Sequence, residues 1–349
     1  MNDHISQLQS ADLAEKVHFL RQKSFYRHLP NEVIAVETHM SWVFLAGAFA
    51  FKLKKPVHYE FLDFTSLKDR EFMCREEVRL NARLAPGIYL GVVPLRLDSQ
   101  GQFTLKGDGP ITDWLVKMKR LPADRMLDWV IEHGKAGETE IDAVAQRLVD
   151  FYRTAAKIDQ SLEQVWQRFA SEHDRNAGLL VNPEFDLDHE LTGHVIQNMA
   201  SALIDVRPLL KQRVEQHVFV EGHGDLRPEH ICLISEPVII DCLEFKRDLR
   251  LLDPFEEIAF LDLECERLGA AWIGRRILGI CRRELTMAPP VALIAFYISA
   301  RALLQARLAL AHLIEPNPRT PQKWEPRARH YIALAEGALN QFNSMRVAS

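Results

Sequence analysis

Zinc-binding spacings are missing from this 349-residue chain. Its five cysteines, Cys74, Cys232, Cys242, Cys265 and Cys281, form no C-x-x-C pair, and none stands beside histidines at zinc spacing. An odd number of scattered thiols points to reduced, buried cysteines in a cytoplasm. The N-terminal MNDHISQLQS lacks the apolar core of a signal peptide. No uninterrupted apolar run of about 18 residues occurs. The nearest approach, Val291 to Leu313, is broken by Arg301, Gln305 and Arg307, which argues against a membrane span. Positive charge is not in excess: 43 basic residues face 48 acidic ones, a net charge of -5, so nothing calls for nucleic acid as a partner. The absence of G-x-x-x-x-G-K-[ST] argues against a P-loop kinase. Internal repeats, low-complexity tracts and long linkers are also absent.

What is present is an ordinary globular composition, 47% hydrophobic and 26% charged, on a chain long enough for one large domain or a two-lobed unit. Residues 1–29 read as a helical extension, with Leu8, Leu13, Val17 and Leu20 near one face. From Val33 the pattern becomes rich in β-branched and aromatic residues. Strands are expected at Val33 to Glu37, Trp42 to Leu45, Ala48 to Leu53, Val92 to Leu97, Phe103 to Lys106 and Trp114 to Lys119, with a helix at about Ser66 to Leu84. After Leu121-Pro122 the pattern turns helical, apart from a strand-and-loop island at Val218 to Phe245. The expected domains are thus 1–29, a sheet-plus-helix lobe over 30–120, and a helical lobe over 121–349 that carries the loop 223–241.

The island holds the most chemistry. His223-Gly224-Asp225-Leu226-Arg227-Pro228-Glu229-His230 is followed by Val238-Ile239-Ile240-Asp241. Two aspartates at the mouths of a strand-and-loop segment suit phosphoryl transfer, where one carboxylate orients the attacking hydroxyl and another holds Mg²⁺. His223-Gly224-Asp225 resembles the H-G-D-x-x-x-x-N catalytic loop of aminoglycoside phosphotransferases and is similar to the H-R-D loop of protein kinases. Asp253-Pro254 resembles the D-P-x-x-D-L-A stretch of the same family. The resemblance implies that Asp225 is the catalytic base and Asp241 the metal-binding aspartate. The family's asparagine, five residues after the base, is replaced by His230, whose nitrogen suits Zn²⁺ or Mn²⁺ better than Mg²⁺.

In Ala48 to Lys54, alternation puts Phe49, Phe51 and Leu53 on a core face and Ala50, Lys52 and Lys54 on the other. Ala50-Phe51-Lys52 resembles the A-I-K of the kinase lysine strand, so Lys52 is the expected phosphate-binding lysine, with Lys54 and Lys55 as solvated strand ends. On the next helix Met73, Glu77, Leu80 and Leu84 share one face. Glu77 in an apolar stripe needs a partner, which makes it the expected companion of Lys52, with Glu76 as the alternative. No G-x-G-x-x-G joins the first two strands. The resemblance implies a hydroxyl-bearing turn over the phosphates instead, with Ser41, or alternatively Thr38, as the residue concerned. Met118 is expected to line an adenine pocket.

The acidic run Asp253, Glu256, Glu257, Asp262, Glu264 and Glu266 reads as a solvated helix face, and Arg301 and Arg307 as structural partners of those acids. The resemblance implies an α+β, bilobal protein-kinase-like fold with a five-stranded antiparallel sheet and a mostly helical second lobe. It also implies ATP and Mg²⁺ as cofactors and a small-molecule hydroxyl as acceptor, with no nucleic acid or membrane partner. The competing reading is a nucleotide-binding pseudokinase with a regulatory or scaffold role, supported by His230. Protein-directed transfer ranks below both, because no A-P-E signature follows the site.

Overall fold

The computed structural model describes residues 12–26, 30–59, 62–315, 318 and 320–347. Two compact units emerge: Met1–Arg125 with Val238–Leu249, and Met126–Pro237 with Arg250–Ser349. The division falls at Arg125 rather than at residue 120, and the segment carrying Asp241 clusters with the sheet rather than with the helices.

The first unit is built on an antiparallel sheet of β1 (Val33–Glu37), β2 (Ser41–Ala46), β3 (Phe49–Lys54), β4 (Tyr89–Leu97), β5 (Phe103–Thr104) and β6 (Ile111–Lys119), in spatial order β1-β2-β3-β6-β4-β5. Among the described residues it has six strands, one more than the resemblance implies; the strand expected from Phe103 is β5, which adds to the edge of β4 through a short hairpin, with Leu97 opposite Phe103. Gly47 turns the chain between β2 and β3 at a φ of +60°, a conformation that a residue without a Cβ adopts at little cost. Helix α1 (Leu13–Leu20) starts at the Asp12 cap and covers one face of the sheet. There Val17, Leu20 and Tyr26 pack on Phe44, Phe51, Leu53 and Leu115, a core of the phenylalanine face that the alternation marks out. The expected helical stretch over 1–11 and residues 27–29 lie outside the described residues. Helix α2 (Leu67–Asn81), capped by the Ser66 hydroxyl on the Asp69 N–H, packs through Cys74 on Trp114 and Val116. Buried Asp113 ties both helices to β6, binding Lys16 of α1 at 2.8 Å and Arg70 of α2 at 2.8 Å.

The second unit is helical: α3 (Leu127–Glu132), α4 (Glu138–Thr154), α5 (Leu162–Leu180), α6 (His189–Asp205), α7 (Arg207–Glu215), α8 (Pro254–Arg267), α9 (Ala271–Glu284), α10 (Val291–Ile314) and α11 (Trp324–Val347). By length and composition α10 is apolar enough to cross a membrane, despite Arg301, Gln305 and Arg307. Here Leu293, Phe296, Leu303 and Leu310 of α10 are buried in the helical core, and the charge of Arg301 is met by Glu256 at 2.9 Å.

The acidic run is not a solvated face. Asp253, Glu256, Glu257 and Glu264 are all buried, because cations and hydroxyls from distant helices reach them. Arg213 takes Asp253 (2.6 Å), Arg168 takes Glu256 (2.6 Å), and Tyr331 donates to Glu264 (2.5 Å). Arg307 pairs with Glu172 of α5 (2.8 Å) rather than with that run. All five cysteines are buried thiols outside any disulfide.

Candidate functional site

In the sheet unit, β3 and α2 bring the charges together. Lys52 and Lys54 point to the face of the sheet opposite Phe51 and Leu53, toward α2. The Glu77 carboxylate, fully buried, divides itself between them: Oε1 lies 2.9 Å from Lys52 Nζ and Oε2 lies 2.7 Å from Lys54 Nζ. Glu76, the alternative partner, instead pairs with Arg79 on the exposed side of α2. Lys52 also reaches Asp241 Oδ1 at 2.7 Å. Burial by itself would lower the Lys52 ammonium; Asp241, Glu77 and Glu244 outweigh it and hold it well above the ordinary lysine range. Burial likewise pushes the Glu77 carboxyl upward, and the two lysines more than reverse this and hold it below the usual carboxylate range.

Asp241 follows a short extended pair, Val238–Ile239, and takes a φ of +61°, the left-handed region that few side chains occupy. Its N–H donates to the Tyr89 hydroxyl at 3.2 Å, and the Cys242 N–H donates to Asn81 Oδ1 at 2.9 Å. Its side chain remains 46% exposed, so the carboxylate is accessible from solvent while anchored on one oxygen.

Lys54 and Lys55 are not solvated strand ends. Lys54 is buried against Glu77 and Glu244, and Lys55 binds Glu37 (2.6 Å) and the Thr38 carbonyl (2.7 Å). Alternation names the face a side chain points to, not what covers it. In the first turn, the Thr38 hydroxyl donates to the Ser41 carbonyl and accepts the Ser41 N–H, both at 3.0 Å. Ser41 is buried at the start of β2, and Thr38 is exposed. Met118 sits half-buried on β6, opposite Ala50 and Tyr89, and packs with Cys74, Trp114 and Val116 on the α2 side.

In the helical unit, the loop bearing Asp225 hangs from buried Glu257. That carboxylate accepts the N–H groups of His223 (3.0 Å) and Gly224 and the hydroxyl of Tyr152 (2.7 Å). Gly222 leaves it room, since a Cβ there would collide with the Glu257 carboxylate. The antiparallel pair Val220–Glu221 and Leu251–Leu252, with the Gly222 N–H on the Arg250 carbonyl (2.7 Å), fixes the entry to the loop. His223 is fully buried, and its Nδ1 accepts the Asp225 N–H at 3.3 Å, which makes it a loop-shaping residue. His230 Nδ1 lies 2.8 Å from the Asp225 carbonyl and 3.8 Å from its Oδ2.

Arg227 escaped the reading of the sequence. Its Nε stands 3.6 Å from Asp225 Oδ1, with Glu229 at 3.0 Å and Glu264 at 3.9 Å. Burial by itself would lower its guanidinium; Asp225, Glu229 and Glu264 outweigh this and raise it further above the ordinary arginine range. The signal was available: a cation two residues after the aspartate, in Asp225-Leu226-Arg227, where the strand-and-loop geometry turns it back toward the carboxylate.

Comparison with solved structures follows this geometry. The choline/ethanolamine kinase family protein of Mesorhizobium loti matches over 95% of this chain and 94% of its own, with TM-score 0.54 and 14% identity. A choline kinase of Cryptosporidium parvum matches over 93% of this chain and 96% of its own, with TM-score 0.53 and 10% identity. The fold is protein-kinase-like. At these identities the likeness is one of fold. Within the sheet unit of this fold, a strand lysine, a helix glutamate and a later aspartate converge from positions 52, 77 and 241. No protein-family model matches the chain. An uncharacterized protein of Mycobacterium tuberculosis is 32% identical over 292 residues, 81% of this chain, and this chain spans 55% of that relative's length.

Proposed function

We propose that this chain is an ATP-dependent phosphotransferase that transfers a phosphoryl group to a hydroxyl of a small molecule. The observation that carries the reading is the Lys52–Glu77–Asp241 arrangement on a kinase-like sheet. A fully buried glutamate holds a lysine whose ammonium touches a half-exposed carboxylate. In this reading Lys52 grips the nucleotide phosphates, and Glu77 fixes its position. Met118, beside Ala50, lines the adenine side. The turn at Thr38 and Ser41 covers the phosphates, with Thr38 as the exposed hydroxyl-bearing residue.

The donor chemistry fits a divalent cation. Asp241 offers an anchored, accessible carboxylate, the donor type that such a cation takes. When bound, Mg²⁺ would neutralise charge on the phosphates. Asp225 orients the acceptor hydroxyl and takes its proton, and Arg227 beside it offsets negative charge near that carboxylate. Catalysis then rests on positioning and charge neutralisation. The partners are nucleotide and acceptor alone, in a reducing compartment that suits five buried thiols outside any disulfide.

The test is transfer of label from γ-labelled ATP to a panel of sugars and amino alcohols. Transfer by the wild type that falls about 10²- to 10⁴-fold in Asp225→Asn supports the reading. One feature favours the second reading, a nucleotide-binding regulator without turnover: His230 occupies the position of the family asparagine and is bonded to the loop backbone. Nucleotide binding with no transfer and no ATP hydrolysis would place that reading first.

A further inference from the structure

Lys54 and Glu244 have no part in the reading above, yet they are built into the same cluster. Lys54 lies two residues beyond Lys52 on the same face of β3, and it is 1% exposed, so its ammonium cannot grip a ligand in solvent. Glu77 Oε2 takes it at 2.7 Å, and the Glu244 carboxylate takes it as well. Glu244 stands three residues after Asp241. The segment 241–244 is therefore tied to β3 at both ends, Asp241 to Lys52 and Glu244 to Lys54, with Glu77 bridging the two lysines.

Two further features point the same way. Asp241 adopts a left-handed φ of +61°, a conformation unfavourable for a non-glycine residue that persists where the surroundings over-determine it. In addition, Glu77 already gives one carboxylate oxygen to each lysine, Oε1 to Lys52 and Oε2 to Lys54, so Asp241 and Glu244 each bring a second carboxylate to a lysine already paired. The Glu244 pair ties the far end of the segment to β3 through a lysine shielded from solvent.

We propose that Lys54 and Glu244 form a positioning pair that holds the 241–244 segment so that Asp241 presents its carboxylate to a divalent cation. The purpose of the pair rests on the phosphotransferase reading, whereas its hold on the segment does not.

The experiment uses the full chain and compares the wild type with Glu244→Gln, taking Glu76→Gln, on the exposed side of α2, as a control. Hydrogen exchange is read at the Asp241 and Cys242 amides and at the amides of β3, and ATP binding is measured with and without Mg²⁺. The proposal expects exchange at Asp241 and Cys242 to rise about tenfold in Glu244→Gln, with β3 unchanged. Mg²⁺-dependent ATP binding should weaken about 10- to 100-fold, as for loss of a group that orients a metal ligand, while metal-free binding stays within about twofold. Exchange unchanged at Asp241 and Cys242, exchange raised equally across β3, or Mg²⁺-ATP affinity equal to wild type despite a loosened segment would each overturn it. If the wild type binds no Mg²⁺-ATP, the phosphotransferase reading falls, while a rise confined to Asp241 and Cys242 still upholds the pair's hold on the segment.

Discussion

Asp241 and Asp225 are both partly exposed carboxylates at loop positions, but they are held by opposite means. Asp241 is fixed through its own charge: Lys52 grips its side chain, and the lysine is in turn held by buried Glu77. Asp225 is fixed through its backbone. Glu257 binds the N–H groups before it, His223 takes its own N–H, and the nearest cation, Arg227, stays 3.6 Å away. On the proposed reading, the carboxylate at 241 meets a cation while one of its oxygens stays on Lys52, whereas the carboxylate at 225 is held by its backbone, with the scaffold one layer deeper.

The largest effect that would break this comparison is on activity. Asp225→Asn should remove about 10²- to 10⁴-fold of phosphoryl transfer while thermal unfolding stays near that of wild type, because Arg227 keeps Glu229 and Glu264 as partners. A large loss of stability on that substitution would show that the loop leans on the carboxylate after all.

Stability should behave in the opposite way at the other site. Glu77→Ala removes the one carboxylate that Lys52 and buried Lys54 share and should cost about 3–5 kcal/mol in urea unfolding, whereas Glu76→Ala, at an exposed pair, should stay within about 0.5 kcal/mol. Equal effects of the two would remove Glu77 from the centre of the ladder.

A smaller effect sharpens the scaffold side. Gly222→Ala forces a methyl group against the Glu257 carboxylate and should destabilise by about 1–3 kcal/mol, with faster amide exchange at His223 and Gly224. A neutral result there would mean that the loop is not suspended from Glu257.

An effect spread over pH, and small at any one step, concerns a carboxylate with no such arrangement. Asp262 is buried on α8 with one oxygen unpartnered, and burial, with Glu266 adding, pushes its carboxyl up to about 7. The native state keeps that proton at pH values where the unfolded chain, with an ordinary aspartate at about 3.9, has lost it. Stability attributable to Asp262 should therefore fall as pH rises from about 4 to 7 and level off above, by at most about 1.4 kcal/mol per pH unit. Subtracting the pH profile of Asp262→Asn from that of wild type, both by chemical denaturation, isolates this slope; a flat difference would refute it.

Much of the sheet unit was legible because its signals are local. Alternation along β3 separated Phe51 and Leu53 from Lys52, and the apolar stripe of α2 singled out Glu77 over Glu76. What stayed hidden depends on distant chain. Lys54 reads as a strand end until Glu244, 190 residues on, covers it. The acids of α8 read as a solvated face until Arg168 and Arg213 arrive from other helices. Ser41 reads as an open turn hydroxyl, but the hairpin register places it opposite Lys54 and buries it.

Calorimetry of ATP binding, with and without Mg²⁺, for the wild type and Asp241→Asn tests the central claim most directly. The account predicts binding that requires Mg²⁺ in the wild type and loses that requirement, with most of its affinity, in the variant. Binding by the folded wild type that ignores Mg²⁺ and tolerates Asp241→Asn would contradict it.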